Sequence, residues 1–225
     1  MIPYYETKLG KLYHGDCLDI MPELEPVDLV LADPPYGIGV NKMTLGNGKH
    51  VLYRGEYNWD FKPADISMIL SIECKKIIWG GNYFNVPPAR CWLVWDKGTG
   101  KNDYADCELA WTNINSVVKK FFRSWVGKNA KEYEDSNRYH ITQKSVELMI
   151  WCIELSKTDG CILDPYLGSG TTAIACERLN RKWIGIEIEE KYCEIAAKRI
   201  EENLTVMERI ERSEKGITKK TGLLF

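Results

Sequence analysis

The chain predicts a doubly wound α/β fold around a mostly parallel sheet. Three observations carry that expectation. Short apolar runs alternate with helical stretches along the whole sequence. Two of the runs, Leu29-Val30-Leu31-Ala32 and Cys161-Ile162-Leu163, end in an aspartate followed by proline. A Gly-rich turn then leads from the second run into a helix. At 225 residues the chain suits one domain with a full core. We expect a single domain over 1–225, with a lid at about 38–63 and a small insert at about 112–139.

Taken in order, residues 12–13 read as a short strand, and Gly15-Asp16-Cys17-Leu18 opens a helical turn capped by the acid. Residues 27–32 form the strand that runs into Asp33-Pro34-Pro35-Tyr36-Gly37. The prolines fix φ at two positions and remove two backbone donors, so one carboxylate and one aromatic ring are held together at a strand's carboxyl end. Taken alone, such a turn would also end an ordinary strand. Residues 38–63 are rich in glycine and asparagine and too long for a plain connector, hence the lid. A helix is expected over 66–74, and a strand over 76–79 ending at Gly80-Gly81-Asn82. Further strands are expected over 91–95 and 108–112, before a basic stretch interrupts the alternation. The pattern resumes with a helix over 144–155, a strand over 161–163 ending at Asp164, a helix over 171–179 and a strand over 183–188. A long charged helix begins near Glu190, and the basic tail after Gly216 is expected to fray.

Composition narrows the function classes. The formal net charge of −2 carries no global signature of polyanion binding, so the distribution of charge decides. Between Lys119 and Lys144 seven basic residues face three acidic ones, interleaved with Phe121, Phe122, Trp125, Tyr133 and Tyr139. Lys119, Lys120, Arg123, Lys128 and Arg138 are the candidates there for a nucleic-acid face, although a solvated surface segment would read the same way. The eight cysteines include no C-x-x-C pair and mostly lie in apolar runs, so they are expected to be reduced thiols of a cytoplasmic protein. His14, His50 and His140 show no ligand spacing, and no metal site is expected. No apolar stretch is long enough to span a bilayer.

The segment Asp164-Pro165-Tyr166-Leu167-Gly168-Ser169-Gly170-Thr171 follows a strand and opens a helix, where glycines admit a ligand and free amides face it. Glu187 ends the next strand, a position from which an acid accepts both ribose hydroxyls of a nucleoside. A dinucleotide site is the competitor; it wants a third packing glycine, for which Ala173 is the nearest small residue. A planar base with an exocyclic amine suits the first site, its amine on Asp33 and its ring on the face of Tyr36.

Together these motifs resemble the permuted beta class of amino-group DNA methyltransferases, in which Asp-Pro-Pro-Tyr precedes Asp-Pro-Phe-x-Gly-Ser-Gly. The likeness extends from Leu12 to Arg199 and includes Gly15-Asp16-Cys17-Leu18, Trp59-Asp60, His140-Ile141-Thr142-Gln143-Lys144-Ser145 and Trp183-Ile184-Gly185-Ile186-Glu187. Ile141 and Ser145 stand where the family has prolines, and Tyr166 where it has phenylalanine. The resemblance implies a Rossmann-like methyltransferase fold with permuted motif order, S-adenosylmethionine as cofactor, and double-stranded DNA as partner in restriction-modification or a related role. It implies that Asp33, Pro34, Pro35 and Tyr36 hold the flipped target base. It also implies that Asp16, Cys17, Asp33, Thr142, Lys144, Asp164, Tyr166, Gly168, Ser169, Gly170, Thr171 and Glu187 form the cofactor site, with Thr142 and Lys144 near the methionine carboxylate. Homodimers are common in the class, and nothing in this sequence marks an interface.

Aspartate at the first motif position favours N6 of adenine; N4 of cytosine, where the family usually carries serine, is the alternative. An RNA adenine substrate and a non-catalytic partner subunit are lesser readings, the latter opposed by the intact set of motif residues. The interval from about Thr112 to Tyr139 is short for a recognition module, with Arg123, Asn129, Asn137 and Arg138 as base readers, so a short or degenerate target is expected.

Overall fold

The computed structural model describes residues 1–39, 44–45, 50–51, 60–99, 105–124 and 143–221. In chain order the elements are β1 (Tyr5–Glu6), β2 (Gly10–His14), α1 (Cys17–Ile20), β3 (Leu29–Ala32), β4 (Thr44–Leu45), β5 (His50–Val51), α2 (Ser67–Ser71) and β6 (Lys75–Trp79). They continue with β7 (Trp92–Asp96), β8 (Cys107–Thr112), β9 (Lys119–Phe122), α3 (Val146–Ser156), β10 (Ile162–Asp164), α4 (Thr171–Arg178), β11 (Trp183–Glu187) and α5 (Glu190–Thr221). Nine strands form one sheet in the order β1-β2-β11-β10-β3-β6-β8-β7-β9, and β4 pairs with β5 separately.

The five central strands, from β2 to β6, are parallel. β3 is buried along its whole length, as expected of a strand covered on both faces and read from a continuous apolar run. α4 is buried from Thr171 to Glu177, and it packs against α3 and α5. α5 reaches the core through Cys193, Ala196 and Ile200, a spacing that keeps one face inward. The doubly wound, mostly parallel architecture predicted from the sequence is the one observed.

The topology fixes the place of a site. From β3 the sheet grows through β6 in one direction, and from β10 it grows through β11 in the other. β3 and β10 are neighbours, with Leu163 opposite Val30, so the direction of winding reverses between them. Crevices of this kind hold the ligands of open α/β sheets. Asp33 follows β3 and Asp164 ends β10, at this crevice.

Three features depart from the sequence expectation. β1 adds a short antiparallel edge beside β2. The beginning of the basic stretch, where no strand was expected, is the edge strand β9, parallel to β7. α5 continues through Gly216 to Thr221, so the tail expected to fray after Gly216 is helical there. Most of the expected lid lies outside the described residues. Among the described residues no helix is long and apolar enough to cross a membrane, and the eight cysteines are unpaired.

Candidate active site

A cavity of about 500 Å³ opens at the crevice. It is walled by the turn after β2, the start of the Asp33 turn, residues 64–65, the segment entering α3, the Gly-rich turn after β10 and the end of β11. Asp16, Cys17, Asp33, Lys144, Asp164, Tyr166, Gly168, Ser169, Thr171 and Glu187 all line it, so positions scattered over most of the sequence meet in one place. Thr142 lies outside the described residues. Gly170 is set back from the wall. A Cβ there would come within 3.0 Å of Ala196 Cβ, and its φ of +88° suits glycine, so it serves the close approach of α5 to the turn.

Asp16, Asp164 and Glu187 are each fixed by backbone donors. Asp16 caps α1, accepting from Leu18 N at 2.9 Å. Glu187 accepts from Gly168 N and Glu189 N, both at 2.8 Å, and so ties the Gly-rich turn to the end of β11. Burial pushes its carboxyl up, with the two amides acting against that. Asp164 accepts from Tyr166 N at 3.0 Å, yet burial pushes it up to about 7. Arg199 of α5 braces the turn from behind, donating to Ser169 O at 2.6 Å and to Ser169 Oγ at 2.9 Å. Burial pushes both the Tyr166 hydroxyl and the Cys17 thiol up.

Among the described residues the lining carries Asp16, Asp33, Asp65, Asp164, Glu187 and Glu189 against Lys144 alone. A pyrophosphate would meet like charge here, which disfavours the dinucleotide. A ligand with hydroxyls and a cationic centre meets acceptors instead, while the α4 amino end at Thr171 and Thr172 offers a complementary corner for a carboxylate.

The Asp33 turn is held from several sides. Gly37 N donates to Asp60 Oδ1 at 2.8 Å, and Ala64 N to the Pro35 carbonyl at 3.0 Å. Gly80, at the end of β6, provides the seat of Tyr36: a Cβ there would stand 2.1 Å from the Tyr36 ring, and φ is +68°. Tyr83, half exposed beyond Gly80, stacks on Tyr36 with centroids 5.1 Å apart and planes at 17°. The turn Gly80-Gly81-Asn82 in the sequence hinted at a special loop, but not at its partner.

The sequence reading used only the ring face of Tyr36; its hydroxyl donates to Asp33 Oδ1 at 2.6 Å. Lys144 Nζ reaches both Asp33 oxygens at 2.8 Å and the Tyr36 hydroxyl oxygen at 3.2 Å. Its expected place was beside the cofactor's carboxylate; although it lines the cavity, its ammonium rests on the Asp33 turn. Burial would lower Lys144, but Asp33 and Glu108 outweigh it and raise it, so the amine is a cation. Glu108 was missed in the sequence, where it is one charge in a strand. Burial would raise it, but Lys144 and Lys97 prevail and bring it down to about 2.

Of the basic candidates, Lys119 and Lys120 are exposed on edge strand β9, and Lys120 pairs with Asp96 at 3.1 Å. Arg123 is corrected: only 3% of its side chain is exposed, and its guanidinium pairs with Glu147 in the first turn of α3. A partner in solution does not reach it. Lys128 and Arg138 lie outside the described residues.

A family model described as DNA methylase, of the N6/N4 type, matches residues 100–198. The chain is 27% identical to the type II methyltransferase M2.LlaDCHI of Lactococcus lactis subsp. cremoris, over 90% of this chain and 93% of that protein. It is 28% identical to the type II methyltransferase M2.DpnII of Streptococcus pneumoniae, over 88% and 92% respectively. Among solved structures, the M1.HpyAVI–SAM complex superposes with a TM-score of 0.54 at 24% identity, covering 85% of this chain and 99% of that one. The cytosine-N4-specific PvuII DNA methyltransferase superposes with a TM-score of 0.54 at 18% identity, covering 92% and 94%. Likenesses at such identity speak for the fold.

Proposed function

We propose that the chain, similar to type II DNA methyltransferases over most of its length and matched by the DNA methylase model over residues 100–198, is an amino-group DNA methyltransferase that methylates the exocyclic N6 of adenine in double-stranded DNA, using S-adenosylmethionine. The observation that carries the reading is the joining of an acid-lined cavity to the Asp33 turn across one crevice. The residues present fit the cofactor: Glu187 and Asp16 are acceptors for a nucleoside, Asp164 and Asp33 are carboxylates for a cationic ligand, and Thr171 and Thr172 stand at a helix amino end.

When bound, S-adenosylmethionine supplies an electrophilic methyl group on a positively charged sulfur. The amine of adenine is a weak nucleophile because its lone pair is delocalised into the ring. Asp33 accepts a hydrogen bond from one amine N–H and the Pro34 carbonyl from the other, which turns the lone pair out of conjugation and toward the methyl group; once the nitrogen is methylated, the proton on its Asp33-bound N–H leaves through the Asp33 carboxylate to water. The Pro35 carbonyl already accepts from Ala64 N. Tyr36 offers its ring to the extruded base, replacing stacking lost from the duplex. Proximity and orientation supply most of the acceleration, and no covalent enzyme intermediate forms, so the thiols have no catalytic duty. Exposed Lys119 and Lys120 supply charge for the DNA backbone without reading sequence.

Incubation of the protein with labelled S-adenosylmethionine and duplex DNA of mixed sequence, followed by nucleoside mass spectrometry, tests the reading. Labelled N6-methyladenine is the expected product. N4-methylcytosine alone would overturn the choice of base, methylation of RNA alone the choice of polymer, and cofactor binding without transfer would mark a partner subunit.

A further inference from the structure

Glu108 lies outside the cavity wall, yet it is joined to the catalytic turn through one side chain. Its carboxylate sits 3.0 Å from Lys144 Nζ, and its other oxygen pairs with Lys97. Lys144 carries the contact onward to both oxygens of Asp33. The lysine side chain is 5% exposed, and its ammonium lies 5.6 Å from the Tyr36 ring centroid and 5.8 Å from that of Trp79. Lys97, Glu108, Lys144 and Asp33 thus form a chain of alternating charge that sums to zero and ends at the reacting amine's acceptor.

On the methyltransferase reading above, we propose that Glu108 is a positioning residue: it shares the Lys144 ammonium with Asp33 and thereby sets the plane of the Asp33 carboxylate. An ammonium has three donors. Those of Lys144 go to both Asp33 oxygens and the Tyr36 hydroxyl oxygen, and its contact with Glu108 is ionic; with the Glu108 charge balancing the ammonium, Lys144 and the Tyr36 hydroxyl fix Asp33 without saturating the lone pairs of a carboxylate, and an acceptor is left for the amine. Without the Glu108 charge the ammonium has one carboxylate to rest on. It then competes with the amine for Asp33 and leaves an unbalanced positive charge beside a nitrogen that becomes cationic during transfer. Loss of Glu108 therefore acts on the transition state more than on cofactor binding.

The test uses the full chain and compares Glu108→Gln with Glu108→Asp. Glu108→Gln lowers kcat about tenfold or more while the S-adenosylmethionine Kd stays within about threefold, and Glu108→Asp restores much of the loss because charge is retained. A second readout needs no turnover: lysines labelled at 13Cε are followed by NMR against pH, with the Lys144 resonance assigned by Lys144→Met. In Glu108→Gln the Lys144 titration moves to lower pH, and in Glu108→Asp it stays near that of the parent. Undiminished kcat in Glu108→Gln, an unmoved Lys144 titration, or equal damage from Gln and Asp would each overturn the proposal. If the parent methylates no nucleic acid, the methyltransferase reading falls, and the titration still decides whether Glu108 holds Lys144.

Discussion

On the proposed reading, Asp164 should make S-adenosylmethionine binding depend on pH near neutrality. Its carboxyl is 4% exposed, accepts from Tyr166 N and faces the charges of Asp33 and Glu187; burial above all pushes it up to about 7. A cationic cofactor binds better beside the ionised form. With that midpoint, about 9% of Asp164 is ionised at pH 6 and about 91% at pH 8, so affinity for S-adenosylmethionine rises about tenfold, or about 1.4 kcal/mol. Calorimetry at pH 6 in buffers of different ionisation enthalpy should find close to one proton released per cofactor bound. Asp164→Asn should flatten the pH profile at the weak, low-pH affinity. Glu187 is also pushed up, so its titration adds in the same sense; Glu187→Gln retains the Asp164 share. For the empty protein the sign reverses. A folded-state value above the unfolded value near 4 gives stability that is complete below about pH 4 and is lost as pH rises through about 7, about 1.4 kcal/mol of it between pH 6 and 8. Thermal unfolding of the free protein should therefore fall over that interval, and Asp164→Asn should remove the fall. A wild-type affinity flat from pH 6 to 8, or an unchanged slope in Asp164→Asn, would refute the reasoning.

Asp33→Ala should reduce single-turnover transfer by about a hundredfold or more while cofactor titration stays close to normal, because the lost contact acts on the reacting amine; near-normal transfer at saturating DNA would contradict the role. Tyr36→Phe removes a donor to Asp33 but keeps the ring, so kcat should fall by about 1 kcal/mol, with Tyr36→Ala far worse from lost stacking of about 1–3 kcal/mol; a harmless Tyr36→Phe would mean the hydroxyl contact is incidental. Arg123→Ala should lower the unfolding midpoint by several degrees and leave the DNA affinity of the folded fraction unchanged, since the guanidinium serves Glu147; a selective loss of DNA binding would restore Arg123 to the interface. Glu187→Ala should raise the S-adenosylmethionine Michaelis constant with little change in kcat, measured by initial rates at saturating DNA; unchanged cofactor affinity would make Glu187 only a tie for the Gly-rich turn.

The parts of the site legible in the sequence were those written in local chemistry. Leu29–Ala32 is readable because a strand covered on both faces is a plain apolar run, and the residues that follow it and β10 are turn formers whose acids have nowhere to go but the strand ends. Contacts made only by tertiary pairing were not legible. Lys144 is 111 residues from Asp33 and stands at the end of the basic stretch, so its charge read as part of that stretch and its place, by resemblance, as a cofactor contact. Arg123 misled for the same reason: it follows lysines on an edge strand, and only the packing of α3 reveals that it turns inward to Glu147. Spacing alone could not tell a glycine lining a cavity from one packing a helix, which is why Gly170 was taken for the former. Nor could it foresee that Tyr36 needs Gly80 beneath it and stacks on Tyr83, since those residues belong to the neighbouring strand's end.

Long-read sequencing of DNA from a host lacking its own adenine methylation, expressing either the parent chain or Asp33→Ala, tests the central claim most directly. The account predicts N6-methyladenine in one short sequence context with the parent chain and its loss with Asp33→Ala, both proteins accumulating to equal levels. Methylation confined to cytosine, or N6-methyladenine that persists undiminished with Asp33→Ala, would contradict it.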